Sequence, residues 1–157
     1  MSAVEDRLAE LGLSVPDVAK PVAAYVPAVR DGNLIFTSGQ LPMVSGALVR
    51  TGKVGTGDDA VSPEDAKGLA ETCALNAIAA VKSVIGDLDK VTRVVKVVGF
   101  VASDPAFTGQ PGVINGASEL LGKAFGDAGV HARSAVGVAV LPLDAPVEVE
   151  ITVSVQD

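Results

Sequence analysis

The sequence predicts an α+β fold in which one mixed β-sheet carries two long helices on one face. Between residues 147 and 155, valine or isoleucine alternates with glutamate, threonine or serine, which is the pattern of a half-buried strand. Residues 91–103 are mostly apolar, as expected for a strand at the centre of a sheet. Helical segments at 62–85 and 113–125 alternate with these strands, so both helices are expected to cover the same sheet.

Composition narrows the class of protein. The chain has 157 residues, enough for one domain with a substantial core. Only 3% of the residues are aromatic although 48% are hydrophobic, so the core must be built from small aliphatic side chains. A net charge of −7 without a basic stripe argues against nucleic-acid binding. One cysteine excludes an internal disulfide and a cysteine-rich metal site.

The sequence carries no evident targeting or membrane signal. The N-terminus is acidic and lacks the apolar run of a signal peptide. No apolar span of 18 residues is apparent that would cross a bilayer. We therefore expect a soluble cytoplasmic protein that contacts neither membrane nor nucleic acid.

The first 24 residues are expected to form a helix and a tether ahead of the main domain. Residues 3–12 place apolar side chains on one helical stripe and end at a glycine. Recurring prolines then limit the chain to loop or edge-strand geometry. A single domain is expected over residues 25–157, and it begins with an edge strand at 26–30 and a second strand at 34–38.

Residues 40–61 form a glycine-rich loop with room for one short strand at 47–51. No G-K-[ST] motif follows those glycines, so nucleotide binding is not expected. Ser62 and Pro63 then mark a helix start, because serine caps exposed amides and proline suits the first helical position. Cys73 lies in the apolar stripe of this helix with no histidine or lysine nearby in sequence, which is typical of a core residue rather than a nucleophile.

The last quarter of the chain is expected to contain two strands that carry the candidate site residues Arg133 and Glu150. Residues 132–140 and 147–155 are expected to be neighbouring strands joined by a tight connection, with their valine-rich faces under the helices. Arg133 stands at the head of the first strand and Glu150 in the middle of the second. The opposite sheet face would carry small and polar residues, which predicts association with copies of the same chain and a polar pocket at that interface.

Two further polar residues have simpler interpretations. His131 lacks a second histidine or carboxylate at ligand spacing, so it is expected on a loop or rim rather than on a metal. Asn115 is most simply a cap or first-turn residue of its helix. No metal site is predicted.

Four motifs in this order resemble the RidA (reactive intermediate deaminase A, or YjgF-type) family. They are T-S-G-Q-L-P at 37–42, the helix after the glycine-rich loop, V-I-N at 113–115 and A-R-S-x-V-x-V-x-x-L-P at 132–142. The V-E-V-E at 147–150 also fits. The resemblance covers the chain from about residue 25 onward. It implies a chorismate-mutase-like fold and a homotrimer whose sheets face a central barrel, with three equivalent clefts between neighbouring subunits.

The resemblance also implies an activity. Members of the family hydrolyse short 2-imino or 2-enamino acids, such as 2-aminoacrylate, to the 2-oxo acid and ammonia, without a metal or organic cofactor. Arg133 matches the arginine that grips the substrate carboxylate, and a planar guanidinium is suited to that task because it pairs bidentately. Glu150 matches the acidic residue near the attacking water. The resemblance places five substrate-binding residues in the cleft: Tyr25, Ser38, Gly39, Asn115 and Ala135.

Several departures from the family pattern bear on this site. Ala135 stands where the family often has cysteine, and the family's usual Gly-Pro before Tyr25 is Ala23-Ala24 here. The N-terminal helix and the enlarged loop at 43–61 are additions that could reshape the mouth of the cleft. Substrate choice is therefore open at this stage.

Two other function classes stay open beside the deaminase. A trimeric sensor could bind a small carboxylate metabolite through Arg133 without turnover. Arg133 could also be an interface arginine paired with Glu148 or Glu150 of the same or another subunit. A ribonuclease or translation inhibitor is disfavoured by the net charge, the single histidine and the missing basic patch. Chorismate mutase activity would rest on fold analogy alone.

Overall fold

The protein folds as one five-stranded sheet with two long helices packed on one face. The structure is a computed structural model that describes residues 1–21 and 23–157. The helices and strands are α1 Ala3–Glu10, β1 Ala28–Asp31, β2 Leu34–Thr37, β3 Met43–Val44, β4 Ala47–Leu48, α2 Pro63–Ile85, β5 Val91–Ala102, α3 Gln110–Phe125, β6 Ala132–Val138 and β7 Val147–Val155. The predicted order of the helices and of the strands of the main sheet is confirmed. The glycine-rich loop holds two short strands, β3 and β4, which form a separate small hairpin where one strand was predicted.

The strand order is β1-β2-β7-β5-β6, and it corrects the predicted pairing of the last two strands. β5 lies between β6 and β7, pairing parallel to β6 and antiparallel to β7. The reason is the crossover through α3, which returns the chain parallel to β5 at its outer edge. β7 is left at the centre, where β2 and β5 cover both of its edges.

The valine-rich face of β7 packs under the helices as predicted. Val147, Val149 and Val153 are fully buried there, and Cys73 of α2 is buried in the same core. The prediction is wrong for β6, because Val136 is 44% exposed. Parallel pairing with β5 puts Arg133 and Ala135 beside the buried residues 97 and 99, so the valines of β6 turn to the other face.

Close approach of α3 depends on two glycines. A Cβ on Gly99 of β5 would collide with the Ile114 side chain, and a Cβ on Gly116 would collide with the backbone carbonyl of Lys67. The missing side chains let α3 lie tightly against both the sheet and α2. Because α3 passes so low over β5, its first turns stand directly beside the edge strand β6.

α3 begins at Gln110, three residues earlier than predicted. Pro111 explains the early start, since proline fits the first helical turn, where its missing N–H has no partner to lose. Asn115 therefore lies in the second turn of α3 and is not a cap or first-turn residue. In this position the Asn115 side chain reaches Arg133 of β6.

α2 begins as predicted, with the Ser62 hydroxyl accepting the backbone N–H of Asp65. By length and composition α2 is long and apolar enough to cross a membrane, contrary to the expectation that no such stretch exists. Twelve of its residues are buried within this fold, as expected of a core helix.

α1 is fastened to the main body by its N-terminus. Ser2 and Glu5 form a capping box, and the Asp89 carboxylate accepts the backbone N–H groups of Ala3 and Val4. Val4 and Leu8 join the main core. The Glu5 carboxylate also pairs with Lys82 of α2, and with Ser2 these contacts lower the pKa of Glu5 to about 2.

Candidate functional site

Arg133 is held by neutral groups of α3. Its Nη1 donates to Asn115 Oδ1 at 2.8 Å and to Ser118 Oγ at 3.3 Å. Within residues 1–21 and 23–157, no carboxylate lies within 4.0 Å of the Arg133 guanidinium. The side chain is half-buried at the outer edge of the sheet, so it presents an oriented and uncompensated positive charge to that edge.

His131 contacts the same Ser118 hydroxyl that holds Arg133. Its Nδ1 lies 2.6 Å from the carbonyl of Gly129, which can only accept, so Nδ1 carries a proton. Its Nε2 lies 2.9 Å from Ser118 Oγ, the same hydroxyl that contacts Arg133. We call Arg133, Asn115, Ser118 and His131 the arginine cluster.

Glu150 lies on the other face of the sheet. Along β7 the inward residues 147, 149 and 151 are buried under the helices, so the alternating residues Glu148 and Glu150 point to the uncovered face. The prediction placed Arg133 and Glu150 in one cleft, whereas a single chain separates them by the thickness of the sheet. Their predicted roles therefore require a second copy of the chain.

Glu148 was predicted only as a possible partner of Arg133 and not as a catalytic residue. Its carboxylate packs against the backbone of Gly39, where any side chain would collide with it. Burial and the neighbouring Glu150 carboxylate, in that order, raise the pKa of Glu148. Among the described residues, neither glutamate forms a salt bridge within 4.0 Å. We call Gly39, Glu148 and Glu150 the acidic cluster.

The remaining predicted residues divide between the two clusters. Ala135 pairs with Gly99 on the helix side, two residues beyond Arg133. The Ser38 hydroxyl donates to the carbonyl of Val26 at 2.6 Å, which fixes the chain beside Gly39. Tyr25 is 46% exposed and lines a cavity of about 1010 Å³ together with Gly39. Of these residues, Gly39 lies in the acidic cluster, Ser38 precedes it in the chain and Tyr25 shares a cavity with it, whereas Asn115 and Ala135 lie with Arg133.

Two of these associations could have been found in the sequence. Glu148 shares the period-two alternation of Glu150, so any face that exposes one exposes the other. Asn115 and Ser118 are three residues apart in a helix and therefore share a face. Over the described ranges, no three His, Cys, Asp or Glu side chains gather as metal ligands.

Comparison with known proteins identifies the family. A family model described as "YjgF/chorismate_mutase-like, putative endoribonuclease" matches residues 5–153. Protein TCP17 of Trypanosoma cruzi is 41% identical over 155 residues, which cover 98% of this chain and 95% of that protein. The chain therefore belongs to the YjgF/RidA-type family, as its motifs predicted, and it has the family's chorismate-mutase-like α+β fold.

Two solved structures show how the chain sits within that family. The protein Atu1372 of Agrobacterium tumefaciens is 46% identical with a TM-score of 0.90, covering 98% of this chain and 93% of that one. The yjgF gene product of Escherichia coli is 26% identical with a TM-score of 0.63, covering 90% and 94%. Since Atu1372 superposes on nearly the whole chain, α1 and the long loop before α2 are not peculiar to this protein.

Proposed function

We propose that the protein hydrolyses 2-imino and 2-enamino acids of the 2-aminoacrylate type to 2-oxo acids and ammonia. The observation that carries this proposal is the Arg133 guanidinium, oriented by Asn115 and Ser118 and without a carboxylate partner in the described chain. A buried or half-buried cation is costly unless an anion meets it, so this geometry favours a carboxylate ligand.

The cleft is proposed to form between two copies of the chain. The arginine cluster and the acidic cluster lie on opposite faces of the sheet, and each carries charge that the other would compensate. The uncovered face also exposes Val29, Phe36 and Val136, at 51%, 40% and 44%, which favours burial against another subunit. Closed rotational assembly of three copies, as the family resemblance implies, would produce three identical clefts.

In such a cleft Arg133 would hold the carboxylate and leave C2 facing the acidic cluster of the neighbouring subunit. A 2-enamino acid first takes up a proton at C3 and so becomes the 2-imino acid. Water then adds across the carbon–nitrogen double bond at C2. The nitrogen takes up a proton and leaves as ammonia when the carbon–nitrogen bond breaks, and the new hydroxyl gives up its proton to form the 2-oxo acid. Glu148 is suited to move those protons, because burial and the Glu150 carboxylate raise its pKa and so favour the protonated form that can act as an acid. Glu150 contributes by keeping that pKa high.

The test is the decay of 2-aminoacrylate, generated continuously by a lyase, in the presence of wild type, Arg133→Ala and Arg50→Ala. Arg50 is a matched control, since it is an exposed arginine paired with Asp65 away from both clusters. We expect wild type and Arg50→Ala to accelerate decay, and Arg133→Ala to lose at least about 100-fold of that acceleration.

A different outcome would replace the enzyme by a sensor. If none of the three proteins accelerates decay while pyruvate raises the melting temperature of wild type but not of Arg133→Ala, the cleft binds carboxylates without turnover. If Arg133→Ala keeps full activity, the assignment of Arg133 is wrong.

A further inference from the structure

His131 is the one member of the arginine cluster to which the proposed reaction gives no role. It directly precedes β6, and Arg133 stands two residues further on. Side chains two residues apart along an extended chain point to the same face. The His131 ring and the Arg133 guanidinium therefore lie on one side of the sheet, where both contact the Ser118 hydroxyl of α3.

The backbone carbonyl that sets the tautomer of His131 is itself fixed against α3. Gly129 is buried, and a Cβ on this residue would collide with the carbonyl oxygen of Leu121. That close approach seats the Gly129 backbone on the last turns of α3. Because His131 Nδ1 lies 2.6 Å from the Gly129 carbonyl oxygen, the ring is oriented relative to the helix that carries Ser118.

The direction of the hydrogen bonds follows from this tautomer. A neutral imidazole carries one N–H, and the Gly129 carbonyl places it on Nδ1, so Nε2 of His131 is an acceptor. Nε2 lies 2.9 Å from Ser118 Oγ, and the Ser118 hydroxyl is then the donor. Since Arg133 can only donate, a lone pair of the same oxygen accepts Nη1 at 3.3 Å. The chain of bonds thus runs from Arg133 through Ser118 and His131 to Gly129.

His131 competes with the helix backbone for the Ser118 proton. A serine inside a helix readily donates its hydroxyl to the carbonyl four residues earlier, which here belongs to Ile114. In the structure the Ser118 oxygen instead contacts His131 and Arg133. By accepting the hydroxyl proton, the ring favours the arrangement in which the lone pairs of Ser118 are left for the guanidinium.

We propose that His131 is a positioning residue for the substrate carboxylate and that it acts through the Ser118 hydroxyl on Arg133. The inference rests on the proposed function, since it takes Arg133 to bind the carboxylate of a 2-imino acid. His131 holds Ser118 as a donor, and Ser118 holds Nη1 of Arg133 in the orientation that also brings it to Asn115. The effect is therefore on carboxylate affinity and not on the proton transfers at C2 and C3.

The first experiment compares His131→Leu, which cannot form a hydrogen bond, with His131→Gln, whose side-chain oxygen can accept the Ser118 hydroxyl. We expect His131→Leu to raise KM for imine hydrolysis and the calorimetric Kd for pyruvate about two- to threefold, with a smaller change in kcat. His131→Gln should stay close to wild type. In a Ser118→Ala background His131→Leu should have no further effect, because the hydroxyl through which it acts is gone.

The ring can also be observed directly, because His131 is the only histidine in the sequence. In ¹⁵N NMR spectra of untagged protein at about pH 8.5, where a free imidazole is neutral, we expect the Nδ1–H tautomer. Ser118→Ala should shift the Nε2 resonance. The control Ser83→Ala should not, since the Ser83 hydroxyl donates to the carbonyl of Ala80 within α2. This measurement needs neither turnover nor a folded His131 variant, and a ring that averages both tautomers and ignores Ser118→Ala overturns the proposal.

The outcomes separate failure of the positioning role from failure of the reaction. If no imine is hydrolysed but pyruvate affinity follows the expected order of variants, the positioning role stands and the reaction is overturned. If hydrolysis depends on Arg133 while His131→Leu leaves pyruvate affinity unchanged, or weakens it equally with and without the Ser118 hydroxyl, the positioning role is overturned and the reaction stands. If His131→Gln is as impaired as His131→Leu, the role of the hydrogen bond is overturned. If wild type neither hydrolyses imines nor binds pyruvate, both proposals fall.

Discussion

The arginine cluster and the acidic cluster lie on opposite faces of one sheet, and their charged groups have different surroundings. Arg133 is oriented by an amide and a hydroxyl, which fix its geometry without neutralising it. Glu148 sits beside a second carboxylate and is partly buried, so its charged form is destabilised. Among the described residues of one copy, Arg133, Glu148 and Glu150 have no oppositely charged partner within 4.0 Å, and two copies in contact could pair them.

The carboxylate of Glu5 has a structural role and, unlike Glu148 and Glu150, it is paired with a cation. Glu5 accepts from Lys82 and Ser2, and its pKa falls to about 2. The pKa of Glu148 shifts in the opposite direction. It rises, because no cation in the described chain pairs with this partly buried carboxylate. An unpaired carboxyl group with a raised pKa is a candidate functional residue rather than a stabilising one.

The largest expected effect separates the two glutamates. Glu148→Gln should lower imine hydrolysis by about 100-fold or more, because the amide cannot exchange protons. Glu150→Gln is the matched control on the same strand, and it should cost less than about tenfold. It should also move the pH at which activity declines to lower values, since removing the Glu150 charge lowers the pKa of Glu148. Rate–pH profiles of the two variants measure both effects, and equal losses would contradict the assignment.

A smaller effect is expected from the residues that position Arg133. Asn115→Ala removes a 2.8 Å hydrogen bond to a charged group and should raise KM about tenfold with a smaller change in kcat. Ser118→Ala removes a contact of 3.3 Å and should raise KM only about two- to threefold. Calorimetric binding of a 2-oxo acid provides the independent readout. A fall in kcat alone, with affinity unchanged, would show that these residues do not act through carboxylate binding.

Glu148→Gln should raise the stability of the protein although it lowers activity. Its raised pKa means that the folded state binds the proton more tightly than the unfolded state, so its contribution to stability is present below pH 4.5 and is lost as pH rises through the folded-state pKa. Glu148→Gln should therefore raise Tm at pH 7.5, and the gain should shrink below pH 4.5. Calorimetric scans across that range measure it, and a loss of Tm at pH 7.5 would be the contrary result.

Glu5 should show the reverse dependence, with the smallest effect. Its stabilising contribution is present above pH 4.5 and is lost as pH falls through about 2. Glu5→Gln should lower Tm at neutral pH, and the loss should shrink as pH falls from 4.5 toward 2. Glu10→Gln, at an exposed position of the same helix, is the control and should match wild type throughout.

Local patterns in the sequence predicted the elements better than their arrangement. The alternation in β7 and the Ser62-Pro63 start of α2 are decided by neighbouring residues, and both were confirmed. The place of β6 was wrong because strand order depends on the α3 crossover, which no alternation within β6 encodes.

The site shows the same division between local and long-range information. The motif around Arg133 singled out a cation that the structure leaves without a carboxylate partner among the described residues. Glu148 and Glu150 share one alternation, and only packing shows which of them lies against Gly39. The separation of Arg133 from both glutamates follows from the sheet order. It could not be read from residues that are only 15 and 17 positions apart in sequence.

The most direct test of a cleft shared between subunits is complementation between two inactive variants. Arg133→Ala and Glu148→Gln are purified separately, mixed, dissociated and reassembled, and then assayed for imine hydrolysis. If each cleft takes Arg133 from one subunit and Glu148 from its neighbour, random reassembly should restore about a quarter of the wild-type activity. If the mixture stays as inactive as its components although mixed oligomers have formed, the two clusters do not act together across an interface, and the account is wrong.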